Sequence, residues 1–160
     1  MSDHIRLRKG LNIPLEGDAQ TNITKRISPD KVAIKPTDFK ALNAKLLVKE
    51  GDLVKAGTPI FTDKSRPYIN YCSPVSGKVS EIYRGEKRKL LEIRIDADQT
   101  TDYLQITTPN FRTATKQELT DTLLESGLWA AIKQRPYGIA PDKDVEPKAI
   151  FISGFDSSPL

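Results

Sequence analysis

Closely spaced glycines interrupt the apolar residues between positions 47 and 61, and this pattern restricts the fold more than any other feature of the chain. The stretch LLVKEGDLVKAGTPIF breaks its apolar pairs at Gly51 and Gly57. A helix needs an apolar stripe that repeats about every 3.6 residues, whereas short runs between glycines are typical of strands joined by tight turns. Glycine accepts the positive φ that such turns require. The stretch therefore predicts short β-strands.

The residues around these glycines carry further turn signals. Asp52 can accept hydrogen bonds from nearby backbone N–H groups, and Pro59 stands where the next strand begins, a position that needs no ladder hydrogen bond. The sequence SPVSG at 73–77 repeats this arrangement before a second strand at 78–83. Two similar strand-turn-strand units predict a small, pseudo-symmetric β-barrel.

Strict alternation of apolar and charged residues makes LEIRID, at 91–96, the clearest strand of the chain. Residues 84–88 supply the turn that joins it to the strand at 78–83, which predicts a hairpin. Shorter strands are expected at 32–34, which ends before a proline, and at 5–15, where apolar and basic residues alternate.

A helix is predicted from Thr115 onward. Thr115 and Glu118 fit a capping box, in which both side chains bond the free N–H groups of the first turn. Leu119 and the leucine pair at 123–124 form an apolar stripe at helical spacing, and Gly127 is suited to end the helix.

Composition excludes several classes of protein. The chain carries 25 basic and 21 acidic residues, so its net charge is only +4. No apolar run approaches the roughly 20 residues of a membrane span and no signal peptide begins the chain, so a cytoplasmic location is expected. The lone Cys72 and the lone His4 cannot form a disulfide or a Cys/His metal cluster, and Cys72 is expected to be a half-buried core residue.

The densest basic segment is YRGEKRK at 83–89, whose cations could contact phosphates. It lacks the interleaved aromatic residues of a single-strand binder, and acidic residues bracket it. No nucleic-acid partner is therefore expected.

The turn motifs VKEGDLVKAG and SPVSGKV resemble those of the biotinyl/lipoyl carrier fold. This resemblance implies a barrel-sandwich hybrid. In lipoyl domains, an exposed lysine at a hairpin tip is the attachment point, and Lys64 in TDKS stands in a similar place. A lipoyl or biotinyl carrier modified at Lys64 is therefore an alternative function, against a solvated turn lysine without any such role.

Phrases spread over nearly the whole chain resemble, in order and spacing, the A subunits of the Na+-translocating NADH:quinone reductases. They are KGLNIPLEG, AIKPTDF, KLLVKEGDLVKAGTPIF, SPVSGKV, RGEKRKLLEI and SGLWAAIKQRPYG. The resemblance implies a peripheral component on the cytoplasmic side of the bacterial inner membrane, in a complex that oxidises NADH, reduces a quinone and exports Na+. It also implies that flavins and an iron–sulfur centre lie in partner subunits, while this chain binds no cofactor.

The sequence itself offers no catalytic residue. It contains no glycine-rich nucleotide loop, no iron–sulfur cysteines and no nucleophile with its base, so a docking or structural module is expected. In SGLWAAIKQRPY, the lone Trp129 precedes Arg135 and Tyr137, a mixture of side chains that is found at contact sites. These three residues are candidates for contact with a quinone or with other subunits of the complex. The alternative is that Trp129 simply packs on the barrel.

Together these patterns predict a mainly β chain with some helix (α+β). N-terminal strands and loops at 1–45 pack on a barrel at 46–98, and a helical segment with a linker follows at 99–147. At 148–160 the apolar run AIFIS predicts a strand buried on both faces of a parallel sheet, which would start a following α/β domain. Because that strand has no neighbours here, the chain is expected to be truncated.

Two further alternatives stay open. The C subunits of the electron-transport complexes share the barrel pattern, but they carry CxxCxxC clusters beyond the barrel. A free-standing binding or scaffolding domain is the other alternative, and it would be a stable monomer outside the membrane fraction.

Overall fold

Seven short strands and one α-helix are found in the residues that the computed structural model describes, which are 16–17, 22–23, 25 and 27–154. The strands are β1 (Lys31–Ile34), β2 (Ala44–Leu46), β3 (Leu53–Val54), β4 (Pro59–Asp63), β5 (Asn70–Cys72), β6 (Gly77–Arg84) and β7 (Leu90–Ala97). The helix is α1 (Lys116–Glu125), and short 3-10 helices span Pro36–Asp38, Glu86–Arg88 and Leu128–Ala131. The predicted strand at 5–15 lies outside the described residues.

The strands form two antiparallel sheets, with the orders β1-β7-β6-β3 and β2-β4-β5. β6 and β7 make the predicted hairpin, which runs from Gly77 opposite Ala97 to Arg84 opposite Leu90 and contains two bulges. β1 pairs with β7, and β2 pairs with β4, so strands from the N-terminal part of the chain belong to both sheets. This arrangement confirms the prediction of a mainly β chain with some helix.

Two tight turns shape the barrel as the glycine spacing predicted. Gly51 has a φ of 95° and Gly57 a φ of 99°, a region that residues with a Cβ rarely occupy. Asp52 holds the first turn, because its Oδ2 accepts a hydrogen bond of 2.8 Å from the backbone N–H of Lys49. Pro59 opens β4, where its missing N–H costs nothing.

The core is built mainly from residues of β4, β6 and β7. The fully buried aliphatic and aromatic side chains are Ile60 and Phe61 of β4, Ile69, Val79 of β6, and Ile93 and Ile95 of β7. Phe61 stacks on Tyr71 at a centroid distance of 4.9 Å, and Phe39 meets Tyr71 edge-on at 4.6 Å. Burial of each such side chain contributes roughly 1.5–3 kcal/mol, so this cluster is the main source of stability.

The capping box that the sequence predicts starts α1. Thr115 Oγ1 accepts a hydrogen bond from the Glu118 N–H at 3.3 Å, and Glu118 Oε2 accepts one from the Thr115 N–H at 2.8 Å. Leu124, on the apolar face of α1, is buried in the core. Gly127, with a φ of 75°, follows the helix end. At ten residues α1 is too short to span a bilayer, and no other described helix could do so.

The predicted buried strand at 149–153 is wrong for the described structure. Residues 149–154 lie in no helix or strand. Ile150, Phe151 and Ile152 are 77%, 92% and 88% exposed. A strand of this type is stable only when neighbours cover both of its edges and faces, and the described residues supply none. An apolar run therefore predicts a buried strand only together with its sheet.

Candidate functional site

The 3-10 helix Leu128–Ala131 places Trp129 against the barrel. Its side chain is half-buried and packs on the core cluster, and the indole N–H donates a hydrogen bond of 2.9 Å to the Pro141 carbonyl. Ala130 is buried beside it, and the Lys133 Nζ lies 5.7 Å from the centroid of the Phe39 ring. The ring packs on the core and the indole N–H has a partner, so Trp129 anchors this segment to the core.

Arg135 and Tyr137 lie on an exposed turn that follows this anchor. The turn is closed by two hydrogen bonds of 2.8 Å, from the Gln134 N–H to the Ile139 carbonyl and from the Gly138 N–H to the Gln134 carbonyl. The Tyr137 side chain is 67% exposed, and Arg135 has no ion-pair partner in the described part of the chain. Both side chains are available to another molecule.

The three predicted contact residues thus divide into two kinds. No hydrogen bond or ring contact within the described residues joins Trp129 to Arg135 or Tyr137. Trp129 faces the core. Leu128 and Ile132 belong to the same segment and are exposed, as Arg135 and Tyr137 are. The sequence indicated the segment but could not tell its anchor from its exposed side chains. We call residues 128–139 the contact segment.

Lys64 lies in the connection between β4 and β5, as the resemblance to carrier domains implies. Its side chain is exposed, and its backbone N–H donates a hydrogen bond of 2.8 Å to the Asn43 carbonyl. The preceding residue, Asp63, is fully buried. Its Oδ1 accepts hydrogen bonds from the N–H and the hydroxyl of the following residue, Ser65, at 3.1 Å and 2.7 Å. The assignment of Lys64 as an attachment point remains a prediction.

A buried ion pair ties this loop to the C-terminal part of the same compact unit. Asp63 Oδ2 accepts hydrogen bonds from the Arg66 Nε at 3.1 Å and Nη2 at 2.9 Å. The Arg66 Nη1 donates to the Ala140 carbonyl. Burial alone would raise the pKa of Asp63, but the hydrogen bonds from Ser65 and Arg66 outweigh it and hold the pKa below its usual range. Sequence patterns missed the link to the C-terminal part of the unit, because Arg66 and Ala140 are 74 residues apart in the chain.

Cys72 is a packing residue, as the sequence predicted. Burial raises the pKa of its thiol to about 11, so very little reactive thiolate forms near neutral pH. Gly127 packs directly on it, since a Cβ at Gly127 would stand 2.6 Å from the Cys72 Sγ. Within the described residues, His, Cys, Asp and Glu side chains form no group of three that could hold a metal ion.

Two family models match the chain, one after the other. The NqrA N-terminal barrel-sandwich hybrid domain matches residues 5–98, which is more than half of the chain. The NqrA second alpha/beta domain matches residues 114–160. The first match confirms the predicted barrel-sandwich hybrid.

Curated relatives are similar over nearly the whole chain. The Na(+)-translocating NADH-quinone reductase A subunit of Pseudomonas aeruginosa (strain UCBPP-PA14) is 34% identical over 158 residues, which are 98% of this chain and 36% of the relative. Its namesake from Teredinibacter turnerae is 35% identical over 158 residues, 98% of this chain and 36% of the relative. The namesake from Neisseria meningitidis serogroup A is 34% identical, with 98% and 35% covered. The chain therefore spans about a third of the length of these relatives.

Proposed function

Because the chain belongs to the NqrA family, the A subunits of the Na(+)-translocating NADH-quinone reductases, we propose that it acts as the N-terminal docking module of such a protein. The complete NqrA protein would lie on the cytoplasmic side of the membrane, in a complex that oxidises NADH, reduces a quinone and exports Na+. Flavins and an iron–sulfur centre would be held by partner subunits. The barrel would contribute a rigid surface and no redox group.

One observation carries this proposal more than any other. The two NqrA domains match in consecutive order, at 5–98 and 114–160, and the relatives align over 98% of the chain. A lipoyl or biotinyl carrier, an electron-transport C subunit and an unrelated scaffold would share the barrel pattern alone. The match to the second domain and the alignment beyond the barrel favour an NqrA protein over all three.

The contact segment is the surface through which we expect docking. Trp129 fixes it to the core, so the exposed Leu128, Ile132, Arg135 and Tyr137 are presented on a firm base. Protein interfaces are enriched in aromatic and arginine side chains, and a side chain held in place before binding loses less entropy on contact. The same residues suit a quinone site, where apolar and aromatic groups line the ring and an arginine bonds a carbonyl oxygen.

The experiment uses the full-length protein in its native membrane complex. In the variant Arg135→Ala/Tyr137→Ala, loss of two interface anchors should weaken retention of the protein in the complex by about tenfold or more. If the segment contacts the quinone instead, retention stays normal and the KM for quinone rises. Pull-down of the tagged protein from washed membranes and NADH:quinone reductase kinetics distinguish these two outcomes.

The matched control is Arg112→Ala/Tyr103→Ala, which removes the same two side-chain types from exposed positions outside the contact segment. Its retention and quinone KM should equal those of the unaltered protein. If the contact-segment variant also behaves like the unaltered protein, this docking surface is refuted. Isolation of the unaltered full-length protein alone from the soluble fraction would refute membership of the complex itself.

A further inference from the structure

A groove of about 570 Å³ opens between the segment at 36–46, which includes β2, and the tip of the β6–β7 hairpin. Lys64, from the β4–β5 connection, also lines it. We call it the basic groove, because six of its lining side chains are cations and none is acidic. These cations are Lys45, Lys64, Arg84, Lys87, Arg88 and Lys89.

The six cations of the basic groove stand close together without carboxylate partners among the described residues. The ion pairs among the described residues involve cations elsewhere, such as Lys31 with Asp96 at 3.2 Å and Lys55 with Asp102 at 2.8 Å. The six groove cations are all exposed, and none forms an ion pair within the described residues. Crowding like charges without partners is unfavourable, and a bound anion relieves the repulsion.

The backbone at the hairpin tip fixes where two of these cations stand. Lys87 has a φ of 53° and Arg88 a φ of 60°, so two consecutive residues with side chains occupy the left-handed region. Glycine would adopt this conformation without strain. The Lys89 N–H donates a hydrogen bond of 3.1 Å to the Glu86 carbonyl, so Lys87 and Arg88 are the central pair of the tight turn that joins β6 to β7. The turn holds both cations beside the groove.

The shape and charge of the basic groove favour a compact anion. Its volume lies in the range of small-molecule sites. In an extended acidic peptide, side chains on one face stand about 7 Å apart and carry one charge each. A phosphate ester or diphosphate places two or three charges on a few neighbouring atoms, which matches six cations around one small groove more closely.

Three leucines also line the groove. Leu42 and Leu46 are half-buried and pack on the core, and Leu90 is buried. An anion that binds here can therefore place an apolar portion against the leucines while its phosphates meet the exposed cations. Both a nucleotide and the headgroup region of an anionic phospholipid have this composition.

We propose that the basic groove binds a phosphate-bearing anion, with the lysine and arginine side chains on its phosphates and the leucines on its apolar portion. The groove is distinct from the contact segment, so the site does not depend on docking through residues 128–139.

The test measures binding of defined phosphate probes to the 160-residue chain. Pyrophosphate and ADP are titrated by calorimetry, and vesicles of phosphatidylcholine with phosphatidylglycerol are tested by co-sedimentation against vesicles of phosphatidylcholine alone. Binding of pyrophosphate or ADP identifies a free phosphate ligand. Binding only to phosphatidylglycerol vesicles identifies a lipid headgroup. Either result supports the proposed site if the groove variant described below binds the same probe more weakly and the control variant does not.

The groove variant is Lys45→Gln/Lys64→Gln/Lys87→Gln, which removes three charges from exposed side chains. Glutamine, like lysine, carries a Cβ, so the backbone preference at position 87 changes little. Its affinity for the bound probe should fall by about tenfold or more. The charge-preserving Lys45→Arg/Lys64→Arg/Lys87→Arg should stay within about twofold of the unaltered chain, which separates charge from fold.

The matched control is Lys40→Gln/Lys49→Gln/Lys148→Gln, which removes the same net charge at exposed lysines outside the groove. Its affinity should change by less than about twofold. Equal losses in the two glutamine variants would overturn the proposal, because only net charge would then matter. It would also be overturned if no probe bound, or if an acidic peptide or a single-stranded oligonucleotide bound more tightly than the phosphate probes.

Discussion

Replacing Arg66 by alanine should destabilise the chain, because it breaks a buried ion pair. Arg66 donates two hydrogen bonds to Asp63 Oδ2 and a third to the Ala140 carbonyl. Asp63 is fully buried, and the Arg66 side chain is only 16% exposed. Without the guanidinium, a buried carboxylate keeps its Ser65 partners but loses its cation, and the Ala140 carbonyl loses a donor.

The expected loss is about 3 kcal/mol of unfolding free energy. Breaking a buried ion pair by removing one partner costs about 3–5 kcal/mol, and the two remaining hydrogen bonds from Ser65 place this case at the lower end. For a chain of this size, the melting temperature should fall by about 6–12 °C. Arg66→Lys keeps the charge but not the two-pronged geometry, so it should lose about 1 kcal/mol.

The loss should depend on pH with a defined sign. The pKa of Asp63 lies below its ordinary value of 3.8, so the charged carboxylate contributes stability above that value, and this stability is lost as the pH falls through the folded-state pKa. In Arg66→Ala the pKa of Asp63 rises relative to the unaltered chain, because burial then acts without the cation. The difference in stability between the two proteins should be largest near neutral pH and shrink below about pH 4.

Urea denaturation followed by the fluorescence of Trp129 measures these differences, since the indole packs on the core. The double variant Asp63→Asn/Arg66→Ala completes a thermodynamic cycle and should recover part of the loss, because no unpaired charge remains buried. A loss below about 0.5 kcal/mol for Arg66→Ala, or a loss that does not shrink below about pH 4, would refute this account of the network.

Three more predictions concern Gly127, Cys72 and Lys64. Gly127→Ala should cost about 1–3 kcal/mol by thermal denaturation, because φ is 75° and the new Cβ would stand 2.6 Å from the Cys72 Sγ; an equal cost in a Cys72→Ala background would contradict the clash. Iodoacetamide should alkylate Cys72 about 100-fold more slowly in the folded chain than in urea, because a pKa of about 11 against 9.0 reduces the thiolate by that factor; equal rates by mass spectrometry would contradict the burial. Lys64 should be unmodified in protein from its native cells, and an added lipoyl or biotinyl mass on its peptide would restore the carrier alternative.

The features that the sequence predicted depend on a few neighbouring residues. The turns at Gly51 and Gly57 require only a glycine where φ is positive, and the cap of α1 requires only Thr115 and Glu118 three positions apart. The β6–β7 hairpin likewise follows from alternation on both sides of one short turn. Local chemistry decides such features, so they can be inferred without the rest of the fold.

Two features that the sequence did not predict join distant parts of the chain. The bond from Arg66 to Ala140 spans 74 residues, and the basic groove combines the 36–46 segment with the 84–90 hairpin tip. The dense basic segment was visible in the sequence, but its concave surroundings and the lack of carboxylates among the groove's lining residues were not. The failure of the 149–153 strand has the same origin, because a strand needs partners that its own sequence does not specify.

The β4–β5 connection shows why a carrier-like fold here need not mean a carrier function. The resemblance to lipoyl domains places an exposed lysine at this hairpin, where it would carry an attached arm. In this chain the N–H of Lys64 is bonded to Asn43, and its neighbours are held through Asp63 and Arg66 to Ala140. The Lys64 side chain lines the basic groove together with five other cations. The same hairpin position is thereby suited to hold an anion against the barrel, which accords with the rule that function resides in the site and not in the fold.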